Sequence, residues 1–385
     1  MEFLHASQSK PRVAVYSLRH TEDHVSRACG YTFEDVIARD LDQTDIIAPD
    51  FGTAQSLTRR ANVWAARKFG SGFGVVRNQT VLDRDYELFF FSVAQPRDLL
   101  YLNSLKNWRE RSGFAVCWLQ ELWANDIKLT GRLLDVLEQF DHVICPFYHT
   151  TEHLKQRIST PVTYMTWGVD TKLFCPYPSE PRRAIDVCAV GEVHPIMHER
   201  LLEFAETTGQ YYQYGTIRGH HAMASHVAHR RNYADTLKRS RYFLSFLAKI
   251  VNTQQRGTQE EFGLRYLEGI AAGTVMLGSK VNNPSYDMYF DWPDAVIDIP
   301  FDAADIADVI AELDADPKRV AQIRRDNVVN ALTRHDHLHR WEKVLEIAGL
   351  KPLPKMAQRQ NQLIELAHLA DHGTRRPKPL KKSVT

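Results

Sequence analysis

The feature that most constrains the fold is a series of short apolar segments that alternate with helical patterns. The segments RVAVYSL (12–18), YELFFFSV (86–93) and FAVCWL (114–119) are six to eight residues long and apolar on both faces. This pattern is typical of strands in a parallel sheet that is covered on both sides. Amphipathic stretches such as TGRLLDVLEQF (130–140) separate them. The sequence therefore predicts βαβ units.

A proline-rich segment interrupts this alternation. Pro176, Pro178 and Pro181 cannot sit in a helix or a central strand, which predicts a linker, and the strand pattern restarts at residue 184. A chain of 385 residues is also too long for one ordinary core. We predict an α/β protein with two tandem doubly wound, Rossmann-like domains that face a cleft. The predicted parts are residues 1–172, residues 173–345, and a C-terminal helix with a basic, disordered tail in residues 346–385.

Charge, hydropathy and cysteine content limit the partners and the cell compartment that we expect. The 48 basic and 47 acidic residues give a formal net charge of +1, so nucleic acid is not an expected partner. The chain has no run of 18 apolar residues and no apolar signal-peptide core, so we expect neither a membrane span nor secretion. The five cysteines are scattered without a CxxC pair, which is typical of a reducing compartment, and we expect a cytoplasmic protein. The basic tail leaves open a weak attachment to anionic lipid at the inner membrane face.

One stretch, EEFGLRYLEGIAAGTVML (260–277), places two acids around the start of a helix that follows an apolar strand. In doubly wound domains, ligands bind at the carboxyl ends of the strands. Free N–H groups near Gly263 and Leu264 can hold a phosphate, and the carboxylates of Glu260 and Glu268 can accept hydrogen bonds from hydroxyl groups. A phosphate flanked by hydroxyl groups describes a nucleotide sugar. The alternative is that both acids only stabilise a solvated helix end.

The same stretch resembles the E-x7-E motif of retaining glycosyltransferases of the GT-B fold, the group 1 or family 4 type. The matching positions are Glu260, Phe262, Gly263, Leu264, Leu267, Glu268, Ala271 and Gly273. A second segment, GVDTKLFCP (168–176), resembles the G-V-D-x-x-x-F-x-P signature that closes the N-terminal domain of these enzymes. The two motifs occur in the family's order and separation, and the resemblance covers roughly residues 12–350.

The resemblance implies a metal-independent transfer of a sugar, with retained configuration, from a UDP- or GDP-linked donor and without a cofactor. Glu260 would bind hydroxyls of the donor sugar, and Glu268 would bind the ribose. Gly263 and Leu264 would offer N–H groups to the diphosphate or the sugar, and Phe262 belongs to the same donor site. The acceptor would be a glycan, a lipid-linked molecule or another molecule bound on the first domain.

The chain departs from the family at the position of two cations. The family's G-R…K-G pattern is replaced by GEVHPIMHER (191–200), in which Glu192 stands for the arginine and no lysine follows. Cations that stabilise the leaving diphosphate must then come from elsewhere. The candidates are Arg200, Arg218, Lys249, Arg256 and Arg265. We favour Arg256, which together with Arg265 and Glu260 makes up the predicted catalytic set. An ion pair with Glu268 is the alternative for Arg265.

The loop LQELWAND (119–126) follows a strand of the first domain, so it lies at the predicted cleft. Glu121, Trp123 and Asp126 are candidates for acceptor binding, because aromatic rings stack on sugars and acids bind hydroxyls. His20 and His24 follow the first strand and are further candidates. Ordinary loop chemistry with a half-buried tryptophan is the alternative. The histidine-rich segments 219–231 and 334–341 lack an established ligand spacing, so no metal site is predicted.

Two other functions stay open. A catalytically silent GT-B scaffold would explain the missing arginine and lysine, although the two acids of the motif argue against it. A nucleotide-sugar epimerase of the same fold generally uses a different set of acids and histidines.

Overall fold

The structure is a computed structural model that describes residues 10–49, 56–69, 80–216 and 222–372. Within these residues, six parallel strands form one sheet in the order β2-β1-β4-β6-β7-β8, and five parallel strands form a second sheet in the order β10-β9-β11-β12-β13. The strands are β1 Val13–Tyr16, β2 Thr44–Ile47, β3 Thr80–Val81, β4 Tyr86–Val93, β5 Leu105–Lys106, β6 Ser112–Leu119, β7 His142–Cys145, β8 Val162–Tyr164, β9 Ile185–Ala189, β10 Tyr212–Tyr214, β11 Ser240–Ser245, β12 Val275–Gly278 and β13 Ile297–Asp298. The predicted α/β class with two doubly wound parallel sheets is confirmed.

Helices cover both faces of each sheet. The α-helices are α1 Ala28–Val36, α2 Ser56–Phe69, α3 Ala124–Thr130, α4 Tyr148–Arg157, α5 Thr171–Phe174, α6 Pro195–Thr208, α7 His226–Lys238, α8 Thr253–Arg256, α9 Leu264–Ala271, α10 Pro284–Tyr289, α11 Ile306–Ala315, α12 Pro317–Asn330, α13 His337–Ile347 and α14 Pro354–His372. Short 3₁₀ segments are Val25–Arg27, Pro96–Ser104 and Gly131–Gln139, and π segments are Ile37–Leu41 and Ala331–His335. The helix expected at residues 130–140 is therefore of the 3₁₀ type.

The central strands are buried on both sides, as their apolar sequence requires. Along β4, Phe89 and Phe91 pack into the core on one face of the first sheet, and Leu88 and Phe90 pack into the core on the other. All four side chains are fully buried. Since successive side chains of a strand point to opposite faces, an uninterrupted apolar run requires a layer of helices on each face.

The C-terminal helices return to the first sheet. Trp341 of α13 and Leu363 of α14 lie in the same core as Val13 and Phe90. The Trp341 ring meets the Phe90 ring edge-on at 5.4 Å, and its indole N–H donates to the Asp42 carboxylate at 3.1 Å. The division at residues 172 and 345 stays a prediction. Residues from both the N-terminal and the C-terminal part of the chain lie in this core, so the chain passes between the domains twice.

Several predicted features fall outside the described residues: Arg218, the first residues of the segment 219–231, and the basic tail from residue 374. Among the helices of the described residues, none has the length and apolar character to cross a membrane.

Candidate active site

A cleft runs between the carboxyl ends of the two sheets. One part, which we call the α9 cavity, has a volume of about 570 Å³ and is lined by Gly263, Leu264, Arg265, Glu268 and Arg230 of the second domain, with Cys29 of the first domain opposite. The adjoining β6 cavity, about 700 Å³, is lined by Gln120, Glu121, Trp123, Arg27 and Trp167 of the first domain. Both volumes are in the range of small-molecule sites. The two cavities share lining residues, among them Lys249 and Gly263.

The start of helix α9 faces both cavities. Gly263 is its N-cap residue, and no side chain among the described residues caps the helix. Gly263 has φ −93° and ψ 169°, a conformation that any residue adopts. A Cβ atom at this position would meet no described heavy atom within 4 Å, because it would point into open space. The first N–H groups of α9 and the positive end of its dipole are thus presented to the cleft, as in a phosphate site.

Glu268 lies behind this helix start, 3% exposed, and forms an ion pair with Arg230 of α7. Arg230 Nη1 donates to Glu268 Oε1 at 2.5 Å. The guanidinium group also lies over the rings of Phe174 at 4.9 Å and Tyr233 at 5.7 Å. Burial alone would lower the pKa of Arg230, but the Glu268 carboxylate outweighs it and the pKa is raised. Arg230 is therefore charged in the wall of the α9 cavity, where the Glu268 carboxyl group is its partner.

Arg230 was not predicted as a site residue, because the segment 219–231 was considered only as a possible metal site for its histidines. A signal was present. Arg230, Ala234 and Leu237 are spaced by four and three residues, and these are the buried residues of α7. An arginine on the apolar face of a helix needs a buried anion. The identity of that anion, 38 positions further along the chain, is not encoded locally.

Two further cations line the α9 cavity. Arg265 does not take the ion pair with Glu268, and its Nη1 donates to the carbonyl oxygen of Val190. Its guanidinium group fills the space beside Gly191, where a Cβ atom would overlap it. Lys249 Nζ lies 3.3 Å from Glu121 Oε1, across the cleft between the domains. Lys249 has φ 57°, a left-handed conformation that is rare for a residue other than glycine.

The structure does not bring four other predicted donor residues to these cavities. Glu260 accepts a hydrogen bond from the backbone N–H of Asn282 at 2.9 Å. Phe262 is 2% exposed and packs in the core of the second domain. Arg256 Nη1 donates to the carbonyl oxygen of Gln259 at 3.3 Å. Arg200 is paired with Glu203 on the exposed surface of α6.

On the first domain, Glu121, Trp123 and His24 line the β6 cavity. Trp123 is 1% exposed and packs against Phe147 at 4.7 Å, so it is fully buried and not the half-buried ring of the alternative interpretation. Asp126 lines a neighbouring cavity of about 340 Å³ together with Glu121 and accepts a hydrogen bond from Gln255 at 2.6 Å. His20 is exposed in the turn after β1 and is absent from the lining of either cavity.

A polar contact at the back of the cleft joins the domains. Gln259 donates to Thr150 at 3.0 Å and accepts from the N–H of Ala124 at 3.1 Å. Glu261, 1% exposed, accepts from the N–H of His149 in the first turn of α4 at 3.3 Å. Burial raises the pKa of Glu261 to about 7, against the hydrogen bonds from Gln259 and the α4 backbone.

The Glu261→Gln variant is expected to change the pH dependence of stability. The folded protein holds the Glu261 proton up to about pH 7, whereas the unfolded chain releases it near pH 4.3. The unaltered protein therefore loses stability relative to the variant as the pH rises from about 4 to 7, by up to roughly 4 kcal/mol, and the difference is constant above that. Urea denaturation at a series of pH values measures this. Glu152→Gln, an exposed change on α4, is the control. Parallel curves for the unaltered protein and Glu261→Gln would contradict the assignment.

No group of three or more His, Cys, Asp or Glu side chains suited to a metal ion occurs in the parts of the chain that the structure describes.

Comparisons with known proteins agree with this architecture. Residues 194–346, less than half of the chain, match the model of a family described as glycosyl transferase-like. An alpha-glucosyltransferase solved in complex with UDP and a 13-mer DNA containing a HMU base is similar over 89% of this chain and 100% of that chain, with a TM-score of 0.52 and 11% identity. HepE of Anabaena, in complex with UDP and glucose, is similar over 87% of this chain and 98% of that one, with a TM-score of 0.48 and 11% identity. None of the curated proteins matches the sequence.

The fold is thus that of the GT-B glycosyltransferases, two parallel α/β domains with a cleft between them. The second domain carries the glycosyl transferase-like region. The expected GT-B fold is confirmed. The family 4 motif and the retention of configuration stay predictions.

Proposed function

We propose that this protein transfers a sugar from a nucleotide-sugar donor, UDP- or GDP-linked, to a glycan or another acceptor. The observation that carries the proposal is the α9 cavity, in which an uncapped helix start and a buried carboxylate face the same space. The glycosyl transferase-like region at residues 194–346 supports it. In this proposal the diphosphate lies at the start of α9, and Glu268 Oε2, which is not used by Arg230, accepts hydrogen bonds from the ribose hydroxyls.

Charge compensation for the diphosphate falls to Lys249 and Arg265 in this proposal, since both line the cavity. They replace the arginine and lysine that the resemblance would place after β9, where Glu192 stands instead. The structure does not support Arg256 or Arg200 in this role, because neither lines the cavity. Retention of configuration and independence of metal are proposed on the resemblance alone. The structure does not support the predicted contact of Glu260 with the donor sugar, because Glu260 lines neither cavity.

The second candidate is a catalytically silent scaffold of the same fold. Glu192 favours it, since this carboxylate lines the α9 cavity and adds negative charge near the proposed diphosphate. The buried Glu268–Arg230 pair argues against it. Burying two charges has a large desolvation cost, and a hydrophobic pair would serve a structural role equally well.

The test is a thermal melting series with UDP, GDP, TDP, ADP and CMP and with their sugar conjugates. A ligand present at 100 times its dissociation constant stabilises a protein by about 2.7 kcal/mol, which a melting curve resolves. A shift with one base, followed by release of the nucleoside diphosphate from its sugar conjugate, supports a transferase. The absence of a shift with every nucleotide would favour the scaffold.

Gly263→Ala separates binding from folding. The conformation of Gly263 suits alanine and its Cβ would meet open space, but glycine is preferred to alanine at an N-cap. The free energy of unfolding is therefore expected to fall by no more than about 1 kcal/mol. The same methyl group would stand where a phosphate approaches the helix start, and nucleotide affinity is expected to fall by about tenfold, or 1.4 kcal/mol. Titration calorimetry and melting curves measure the two effects.

Gly215→Ala is the matched control, because its Cβ also meets no described atom within 4 Å and it does not line the cleft. Unchanged nucleotide affinity in Gly263→Ala would show that the phosphate does not bind at the start of α9.

A further inference from the structure

The ion pair between Glu121 and Lys249 joins the two domains across the cleft. Glu121 comes two residues after β6 of the first domain, and Lys249 comes four residues after β11 of the second. Their 3.3 Å contact therefore crosses between the domains, at the shared wall of the α9 and β6 cavities. The two side chains are 34% and 38% exposed, so the pair is held at a solvated surface and contributes little to stability.

The backbone of Lys249 supports a functional role. Its φ of 57° is unfavourable for a side chain with a Cβ atom, and such conformations concentrate at ligand sites. The conformation is held on both sides: the N–H of Ala248 donates to the Glu261 carbonyl oxygen at 2.8 Å, and the carbonyl oxygen of Lys249 accepts from Asn252 at 3.0 Å. The strained residue is the one whose ammonium group reaches the cleft.

Among the cations that line the α9 cavity, Lys249 has the partner that a ligand could most easily replace. Arg230 is buried against Glu268, and Arg265 donates to the Val190 carbonyl oxygen. His229, the neighbouring base, has a pKa lowered by burial and by the charge of Arg230. Lys249 alone of these is paired with a half-exposed carboxylate of the opposite domain. A diphosphate at the start of α9 carries more negative charge than one carboxylate and would compete for the ammonium group.

Glu121 keeps its orientation without Lys249. Its Oε1 also accepts a hydrogen bond at 3.3 Å from the indole N–H of Trp123, which is fully buried and fixed against Phe147. If the lysine is withdrawn, the carboxylate therefore stays in the wall of the β6 cavity with a vacant lone pair.

We propose that Glu121 and Lys249 form an exchange pair that couples the two halves of the cleft. The diphosphate of the donor takes Lys249 from Glu121, and the released Glu121 carboxylate then accepts a hydrogen bond from an acceptor hydroxyl in the β6 cavity. The inference rests on the proposed function. It adds that the protein without donor holds Oε1 of this acceptor carboxylate on Lys249, so that donor binding frees this oxygen for the acceptor.

The test uses opposite changes on the two sides of the pair. Glu121→Gln removes the competitor for Lys249, and UDP or GDP is expected to bind about two- to fivefold more tightly. Lys249→Met is expected to weaken the same diphosphates tenfold or more, and Lys249→Arg to recover most of that loss. UMP and GMP lack the second phosphate, so their affinities should change less than twofold in every variant. Titration calorimetry measures all of these affinities.

Glu152→Gln and Lys155→Met serve as controls, because these residues form an exposed ion pair on α4 outside the lining of both cavities. Three outcomes are informative. Tighter diphosphate binding by Glu121→Gln with unchanged monophosphate binding supports the exchange. In the second outcome, the unaltered protein binds nucleotide while Glu121→Gln binds it no more tightly, or while the variant changes mono- and diphosphate affinity equally. Either result overturns the exchange and leaves the proposed function standing. No nucleotide binding by the unaltered protein overturns both.

Discussion

Replacing Arg359 by methionine is expected to lower the free energy of unfolding by about 3–5 kcal/mol, the usual cost of removing one partner of a buried ion pair. Arg359 of α14 is 1% exposed and holds three carboxylates. It donates to both oxygens of Asp336 at 2.8 and 2.7 Å, to Asp170 at 2.7 Å and to Asp40 at 2.5 Å. Asp40 lies on the first domain, Asp170 lies on the segment that joins the domains, and Asp336 lies at the start of α13. The variant would leave all three without their shared cation.

The pH dependence of the same variant follows from Asp336. Burial alone would raise its pKa, but Arg359 outweighs burial and holds the pKa of Asp336 well below its usual value. A lowered pKa contributes stability that is present above the unfolded value near 3.9 and is lost as the pH falls below it. The unaltered protein should therefore lose this contribution in acid, and the Arg359→Met variant should show a smaller acid loss.

Chemical denaturation at pH 7 and at pH values below 4 measures both effects. Arg132→Met is the control, because Arg132 is 64% exposed and pairs only with Asp135 three residues away among the described ion pairs. A loss below 1 kcal/mol for Arg359→Met at pH 7 would show that the three acids find other partners.

The second large effect is expected for Glu268→Gln. If the carboxylate accepts hydrogen bonds from the ribose, its loss should weaken nucleoside diphosphate binding by about 1.5–3 kcal/mol, or roughly 10- to 150-fold. The change also leaves Arg230 as a buried charge without its anion, which is expected to destabilise the fold by about 3 kcal/mol. Affinity and stability should therefore fall together in this variant.

The double variant Arg230→Met with Glu268→Gln separates the two effects. It removes the uncompensated charge, so stability should return towards that of the unaltered protein, whereas nucleotide affinity should stay low. Glu203→Gln, in the exposed pair with Arg200, is the control for an ordinary surface carboxylate. Recovery of nucleotide affinity in the double variant would mean that Glu268 does not contact the ligand.

The sequence predicted the features that depend on local pattern. The apolar runs 88–91 in β4 and 114–119 in β6 are uninterrupted because both faces of the sheet are covered, so they were recognisable as strands of a parallel sheet. The position of Gly263 and Glu268 at the cleft was predictable for a similar reason, since a glycine, a helix start and an acid about one turn later lie within one short segment. The positions where local pattern and fold agree were the predictable ones.

Features that depend on distant partners were missed. The pairing of Arg230 with Glu268, of Lys249 with Glu121, and of Arg359 with three acids joins residues 23 to 319 positions apart. Nothing in the immediate sequence specifies such partners. The return of α13 and α14 to the first sheet was missed for the same reason, because an amphipathic helix shows that it has an apolar face without showing which core receives it.

The most direct measurement is a crystal structure of the protein with the nucleoside diphosphate that gives the largest melting shift. The proposed function predicts the diphosphate at the first N–H groups of α9, within hydrogen-bond distance of Lys249 or Arg265, and the ribose hydroxyls on Glu268. A nucleotide bound away from the start of α9, or one whose ribose leaves the Glu268 carboxylate without contact, would contradict it.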